Sequence, residues 1–212
     1  MARPRTPVLT SARIYAAAVR IIDGDGLSGL SMRKLAAELG VQAASLYSHI
    51  AGKDELLHAV VNEIMEPVDT GDFAPRGWRE GLRTWARSFH LVMAEHPNIV
   101  PFVAAGPGRR PVSLRVADAV HGGLVGAGWP PRYATMIGAS VMYLVVGAAM
   151  GSFSRGFEDD LQLYLDRYPN LLGAPALREH ADEIDQGAFE LALGAFLDGL
   201  EPLFQAVVAR ET

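Results

Sequence analysis

Apolar residues along this 212-residue chain recur at helical spacing, and no stretch sustains the two-residue alternation of a half-buried strand. Ile14, Ala17, Ala18, Ile21 and Ile22 form one stripe, which Thr10 or Ser11 can cap and which the glycines of DGDG (23–26) can end. Ser31 can cap a short second helix with Met32, Leu35, Ala36 and Leu39 inward, stopped at Gly40. Val41 to Ile50 reads as a third helix, with Ala43, Leu46 and Ile50 inward. Lys53 to Glu66 reads as a fourth, ended at Pro67. A polar stretch rich in Pro and Gly then separates residues 1–66 from 67–212, and the joint between two domains is placed there.

In the second part, Trp78, Leu82, Trp85, Phe89 and Met93 share one face of a fifth helix. PGRRP (107–111) and GAGWPP (126–131) bracket another, and Arg132 begins a long segment reaching about Ser154. Residues 154 to about 180 read as irregular, with one short helix. A last helix runs from Asp185 to about Arg210, with Phe189, Leu193, Phe196, Leu197, Leu200 and Phe204 inward. The expected fold class is all-α.

Composition narrows the function. The chain has no cysteine, so a disulfide scaffold, a thiolate metal site and a cysteine nucleophile are excluded. No apolar h-region follows the N-terminal arginines, which predicts a cytoplasmic protein without a signal peptide. The net charge of −5 disfavours a nucleic-acid partner for the chain as a whole. Through residue 60, however, seven Lys and Arg face five Asp and Glu, so a mildly basic head precedes an acidic body.

The segment VQAASLYSHI (41–50) turns Ala44, Ser45, Tyr47 and Ser48 away from its apolar side, and none of them is charged. Two short helices joined by a glycine-containing turn form a helix-turn-helix, whose second helix enters the major groove of DNA. Close approach there requires small side chains, and base edges require neutral donors or acceptors. Ala44, Ser45 and Ser48 meet both needs, while Tyr47 and His49 stand where they can reach phosphates. Lys53 opposes the dipole of the fourth helix at its first turn, a conflict that a phosphate docked on the free amides would reverse. Arg33 at the start of the second helix can also reach DNA, and Arg3 and Arg5 lie on a Pro-rich arm that could follow the groove. The spacing is equally that of an ordinary helical hairpin.

SGLSMRKLAAELGVQAASLYSHIAGKDELLHAVVNEI resembles the DNA-binding domain of the tetracycline-repressor (TetR) family, through G-L-[ST], R-K-L-A-x-x-L-G-V, x-x-[ST]-L-Y-x-H and K-x-x-L-L. The resemblance covers about residues 10–66. It implies that Arg33 contacts bases or phosphates, that Ser45, Tyr47 and His49 are recognition-helix contacts, and that Lys53 binds phosphate. Ala43, Ala44 and Ser48 depart from the Gln, Pro and Trp of tetracycline repressors proper. A different operator is implied, with apolar contact to thymine methyls available.

FELALGAFLDGLEPLF (189–204) resembles the C-terminal dimerisation helix of the same family. A helical ligand-binding and dimerisation body is therefore implied, forming a homodimer through a four-helix bundle. Beside the matching fifth helix the family keeps a cavity, which makes Trp85, Phe89, Met93, Phe102, Val103, Met136, Ser140 and Tyr143 candidate ligand contacts, with His90, His96 and His121 as possible polar ones. The aromatic stripe is also what a plain core requires. The family's metal-ligating histidine falls at Val103, so no tetracycline–magnesium complex, metal or cofactor is expected. The implied inducer is an apolar or aromatic small molecule.

Tyr133 to Ser154 carries no charge and contains Gly147-x-x-x-Gly151. A membrane-associated helical protein is thus the alternative reading, although a buried helix at a dimer centre has the same composition. Catalysis lacks support. HGGLVGAG (121–128) does not follow a strand, Gly138-Ala-Ser140 is no nucleophile elbow, and His180 with Glu183 lacks a third ligand. The expectation is a non-enzymatic, ligand-responsive repressor that binds operator DNA.

Overall fold

The computed structural model describes residues 9–171 and 173–208, and among them it is built of helices with no strand. The chain divides into two compact units. One comprises Met1–Pro67 with His96–Leu114, and the other Val68–Glu95 with Arg115–Thr212.

In the first unit, α1 (Ser11–Gly29) is capped by the Thr10 side chain and buries the whole stripe Ile14, Ala17, Ala18, Ile21 and Ile22. Gly26 breaks its helical backbone at φ 73°, which only a residue without Cβ adopts at no steric cost. α2 (Met32–Leu39) starts on the Ser31 hydroxyl. It ends in a Schellman turn, with the Gly40 N–H on Ala37 O and the Val41 N–H on Ala36 O. α3 is shorter than its spacing suggests: regular helix covers Ala43–Leu46, and Tyr47–His49 form a turn closed by His49 and Ile50 N–H groups on Leu46 O. Leu46 and Ile50 are buried as expected, whereas Ala43 is half-buried. α4 (Lys53–Met65) buries Leu56, Leu57, Val60, Val61 and Ile64.

Residues 96–104 group with this unit and hold two short helical pieces that apolar periodicity did not reveal. A 3-10 turn at Pro97–Ile99 leads into α6 (Val100–Ala104), and Ile99, Val100 and Val103 are buried. Each piece has proline in its first turn, where the missing N–H costs no hydrogen bond.

The second unit centres on α5 (Phe73–Glu95), α8 (Pro131–Ala149) and α11 (Ala181–Val208), which pack against one another. α5 is interrupted at Gly77 (φ 78°), so its continuous part begins at Trp78, and Trp78, Leu82, Trp85, Phe89 and Met93 are all buried along it. The bidentate Arg87–Glu190 pair (2.7 and 2.9 Å) and the hydrogen bond from Arg79 to Leu197 O (3.0 Å) tie α5 to α11. α7 (Pro111–Gly126) begins in the first unit and continues in the second.

Three boundaries differ from expectation. α8 stops at Ala149 rather than Ser154. Residues 154–180 hold α9 (Leu161–Arg167), α10 (Ala174–Leu177) and 3-10 turns instead of one short helix. α11 begins at Ala181, because Asp182 and Glu183 suit a first turn.

Candidate nucleic-acid interface

The α2 Schellman turn fixes where α3 begins, and the buried Leu46 and Ile50 fix which way it faces. Ala44, Ser45, Tyr47, Ser48 and His49 are then exposed together, with Tyr47 54% accessible. The Ser48 hydroxyl donates to Ser45 O at 2.8 Å, which closes the turn after α3 and leaves its oxygen free to accept. Ala44, Ser45, Tyr47 and Ser48 on this exposed side carry no charge. Arg33, the second residue of α2, is exposed and has no ion pair among the described residues. Arg3 and Arg5 lie outside the described residues.

Lys53 answers its dipole conflict within the protein. Its ammonium donates to the carbonyls of Leu27 (3.0 Å) and Leu30 (2.7 Å), at the end of α1. Glu55 accepts from the Ala51 N–H at 2.5 Å and thereby ties the chain leading into α4. Two of the three N–H bonds of Lys53 are thus used, and one remains.

The same stretch is gripped from two further sides. Lys34 of α2 pairs with Asp25 at 2.6 Å. From the segment after α5, the Asn98 amide donates to Ile22 O (3.0 Å) and Asp23 O (2.9 Å), and His96 Nδ1 stands 3.0 Å from the Asp23 carboxylate. The Asn98 amide thus holds two carbonyls, and Lys34 and His96 two carboxylates, around the break at Gly26. No signal in the sequence pointed to Asn98.

The candidate ligand residues fall in several settings. Trp85, Phe89 and Met93 are buried in the second unit, with Trp85 and Phe89 rings stacked at 6.2 Å. Phe102 and Val103 belong to the first unit, the former half-buried and facing His58 at 5.3 Å. Ser140 is half-buried, with its hydroxyl on Met136 O. Met136 and Tyr143 are exposed, and Tyr143 lines an open groove of about 320 Å³ formed by α8 and α11, with Leu144, Gly147, Phe153 and Phe189. The three histidines have protein neighbours: His90 stacks on Phe189 at 3.8 Å, His96 meets Asp23, and His121 Nε2 lies 3.3 Å from Pro131 O. Burial lowers the His90 pKa below its ordinary 6.5, against the opposing pull of Glu190.

Two family models match the chain. "Bacterial regulatory proteins, tetR family" covers residues 14–60, and "Tetracyclin repressor-like, C-terminal domain" covers 73–204. An HTH-type transcriptional regulator of Saccharopolyspora erythraea is 34% identical over 67% of this chain, a match spanning 60% of that relative's length. The class C tetracycline repressor protein of Escherichia coli is 30% identical over 88% of both chains. Among solved structures, the Streptomyces coelicolor TetR family protein ActR in complex with (S)-DNPA is 30% identical, with a TM-score of 0.73 over 91% of this chain and 96% of that one. ActR has also been solved in complex with actinorhodin. The C-terminal match, residues 73–204, takes in α8 and most of α11, which lie in the two stretches among the described residues that are long and apolar enough to cross a bilayer, and nothing supports the membrane alternative. The chain belongs to the tetR family of bacterial regulatory proteins.

Proposed function

We propose that this chain is a cytoplasmic, homodimeric transcriptional repressor that releases its operator when a small molecule binds the body. The observation that carries the reading is the outer side of 43–49, where Ala44, Ser45, Tyr47 and Ser48 are uncharged and exposed and are held by buried Leu46 and Ile50. In the major groove, Ala43 and Ala44 pack on base edges or thymine methyls, and Ser45 and Ser48 hydrogen-bond to base edges. Tyr47, His49, Arg33 and the remaining N–H of Lys53 meet phosphates.

Two copies place two such helices about 34–36 Å apart, one turn of DNA. The groove side of α8 and α11 supports this pairing, because Tyr143, Met150, Phe153 and Leu191 leave a large apolar surface uncovered in a single chain. The ligand enters beside Trp85, Phe89 and Met93, with Met136, Ser140 and Tyr143 of the same unit as further candidate contacts. It acts through α4, and it must bind the DNA-incompetent state more tightly. ActR, solved with two small molecules, supports a ligand-responsive body. No enzymatic step is part of this function.

Selection of duplexes from a random pool by the purified dimer tests the proposal. The expected result is a palindromic site with half-sites one turn apart, bound more weakly by Tyr47→Ala at physiological salt. Recovery of no preferred sequence contradicts it.

A further inference from the structure

Gln42 stands immediately before α3, where a side chain ordinarily caps the free amides of a helix. The two helices ahead of it are capped in that way, α1 by the Thr10 hydroxyl and α2 by the Ser31 hydroxyl. Gln42 makes no cap bond, and glutamine lies outside the Ser, Thr, Asp and Asn set that suits the position. The residue is exposed, and its amide group has no hydrogen-bond partner among the described residues.

The backbone on either side is nevertheless fixed. Just before it, the Val41 N–H donates to Ala36 O at 3.0 Å, within the turn that ends α2. Just after it, the Gln42 carbonyl accepts from the Ser45 N–H at 2.9 Å. A free amide is thus carried on an ordered backbone, followed by two side chains that stop at a methyl group, Ala43 and Ala44. The first residues of a recognition helix are those that meet base edges in the major groove. Gln42 has the only side-chain amide between 41 and 49. Such a group matches adenine, whose N6 amino group donates to the amide oxygen while its N7 accepts from the amide nitrogen.

We propose that Gln42 is a specificity-determining residue of the DNA-reading surface, and that it selects one adenine in each half-site by this paired hydrogen bond. The proposal rests on α3 as the helix that enters the groove, and it adds a base to that reading. The hydroxyls of Ser45 and Ser48 discriminate less, because a hydroxyl can donate or accept and so serves several bases. Leaving α3 uncapped keeps the amide available to DNA.

The test uses the full-length protein and three variants, Gln42→Ala, Gln42→Ser and Gln42→Glu, each selecting duplexes from a random pool. The wild type is expected to enrich adenine at one symmetric position of the two half-sites. Gln42→Ala and Gln42→Ser lose that preference and keep the others, and their affinity for the wild-type site falls about tenfold, the worth of one bidentate base contact. Gln42→Ser supplies an ordinary cap, so its melting temperature stays at or above that of the wild type and unfolding does not explain the loss. Gln42→Glu accepts without donating, which moves the preference toward cytosine and its N4 amino group. Replacing the adenine by 7-deazaadenine, which removes N7 and keeps base pairing, weakens binding by the wild type and not by Gln42→Ala. An adenine preference that survives in Gln42→Ala, a Gln42-dependent position that prefers another base, or an unchanged selection by Gln42→Glu overturns the proposal. So does a loss in Gln42→Ala that is equal for every sequence, which is the behaviour of a phosphate contact. A wild type that enriches no sequence removes the DNA-reading function itself, and this inference with it.

Discussion

The Lys53 ammonium lies 2.7 Å from the carbonyl oxygen of Leu30, joining the first turn of α4 to a point 23 residues earlier in the chain. With its second bond to Leu27, the side chain closes the end of α1 against the start of α4. A charged donor on two carbonyls contributes on the order of 1.5–3 kcal/mol. Lys53→Ala should therefore lower the melting temperature. If the remaining N–H also meets a phosphate, the same variant reduces the salt slope of DNA binding by about one. A lowered melting temperature with an unchanged slope would assign Lys53 to the scaffold of the head alone.

Asn98 donates to Ile22 O and Asp23 O, two carbonyls of the turn that precedes the backbone break at Gly26. Asn98→Ala is expected to destabilise the N-terminal unit by about 1 kcal/mol. Amide exchange should accelerate at the end of α1 more than in α11. Uniform exchange across both units would show that this contact does not organise the head.

His90 gives the stability a defined pH window. Burial lowers its folded pKa below the ordinary 6.5, so the unfolded chain takes up a proton first as pH falls. The contribution is therefore complete above about 6.5 and is lost as pH falls through the lower folded value. Glu190, whose pKa Arg87 holds below the ordinary 4.5, adds a separate loss only in more acidic solution. His90→Phe, which can keep the stack on Phe189, should flatten the melting temperature between pH 7 and 5. An unchanged slope would exclude His90 as its source.

Leu191 and Tyr143 are each 75% accessible in the single chain, on α11 and α8. Leu191→Glu is expected to give a folded monomer by light scattering and to weaken operator binding, because a buried unpaired charge opposes pairing. A dimer of undiminished mass would remove this face from the interface.

Local signals carried most of the first unit. The stripe from Ile14 to Ile22, the Ser31 cap and the Gly40 stop each involve residues within one or two turns, and all three stand as the spacing indicated. α3 was longer on paper because nothing in its composition forbids helix beyond Leu46. Its N-cap Gln42 makes no side-chain bond, and the Ser48 hydroxyl turns back to Ser45 O. The partners of Lys53 and Asn98 are backbone carbonyls far away in sequence, which no residue type advertises. Lys53 shows the consequence: the conflict with the helix dipole was legible, while its resolution by carbonyls was not.

The central claim is that the exposed side of α3 fits between the strands of DNA, and Ala44→Glu tests it most directly. Ala44 is exposed, so a glutamate there leaves the fold intact by circular dichroism and melting temperature. Fluorescence anisotropy with the selected duplex should then show affinity falling by a hundredfold or more, as a carboxylate enters the most negative part of the interface. Wild-type affinity in that variant would mean that this helix does not lie in the groove.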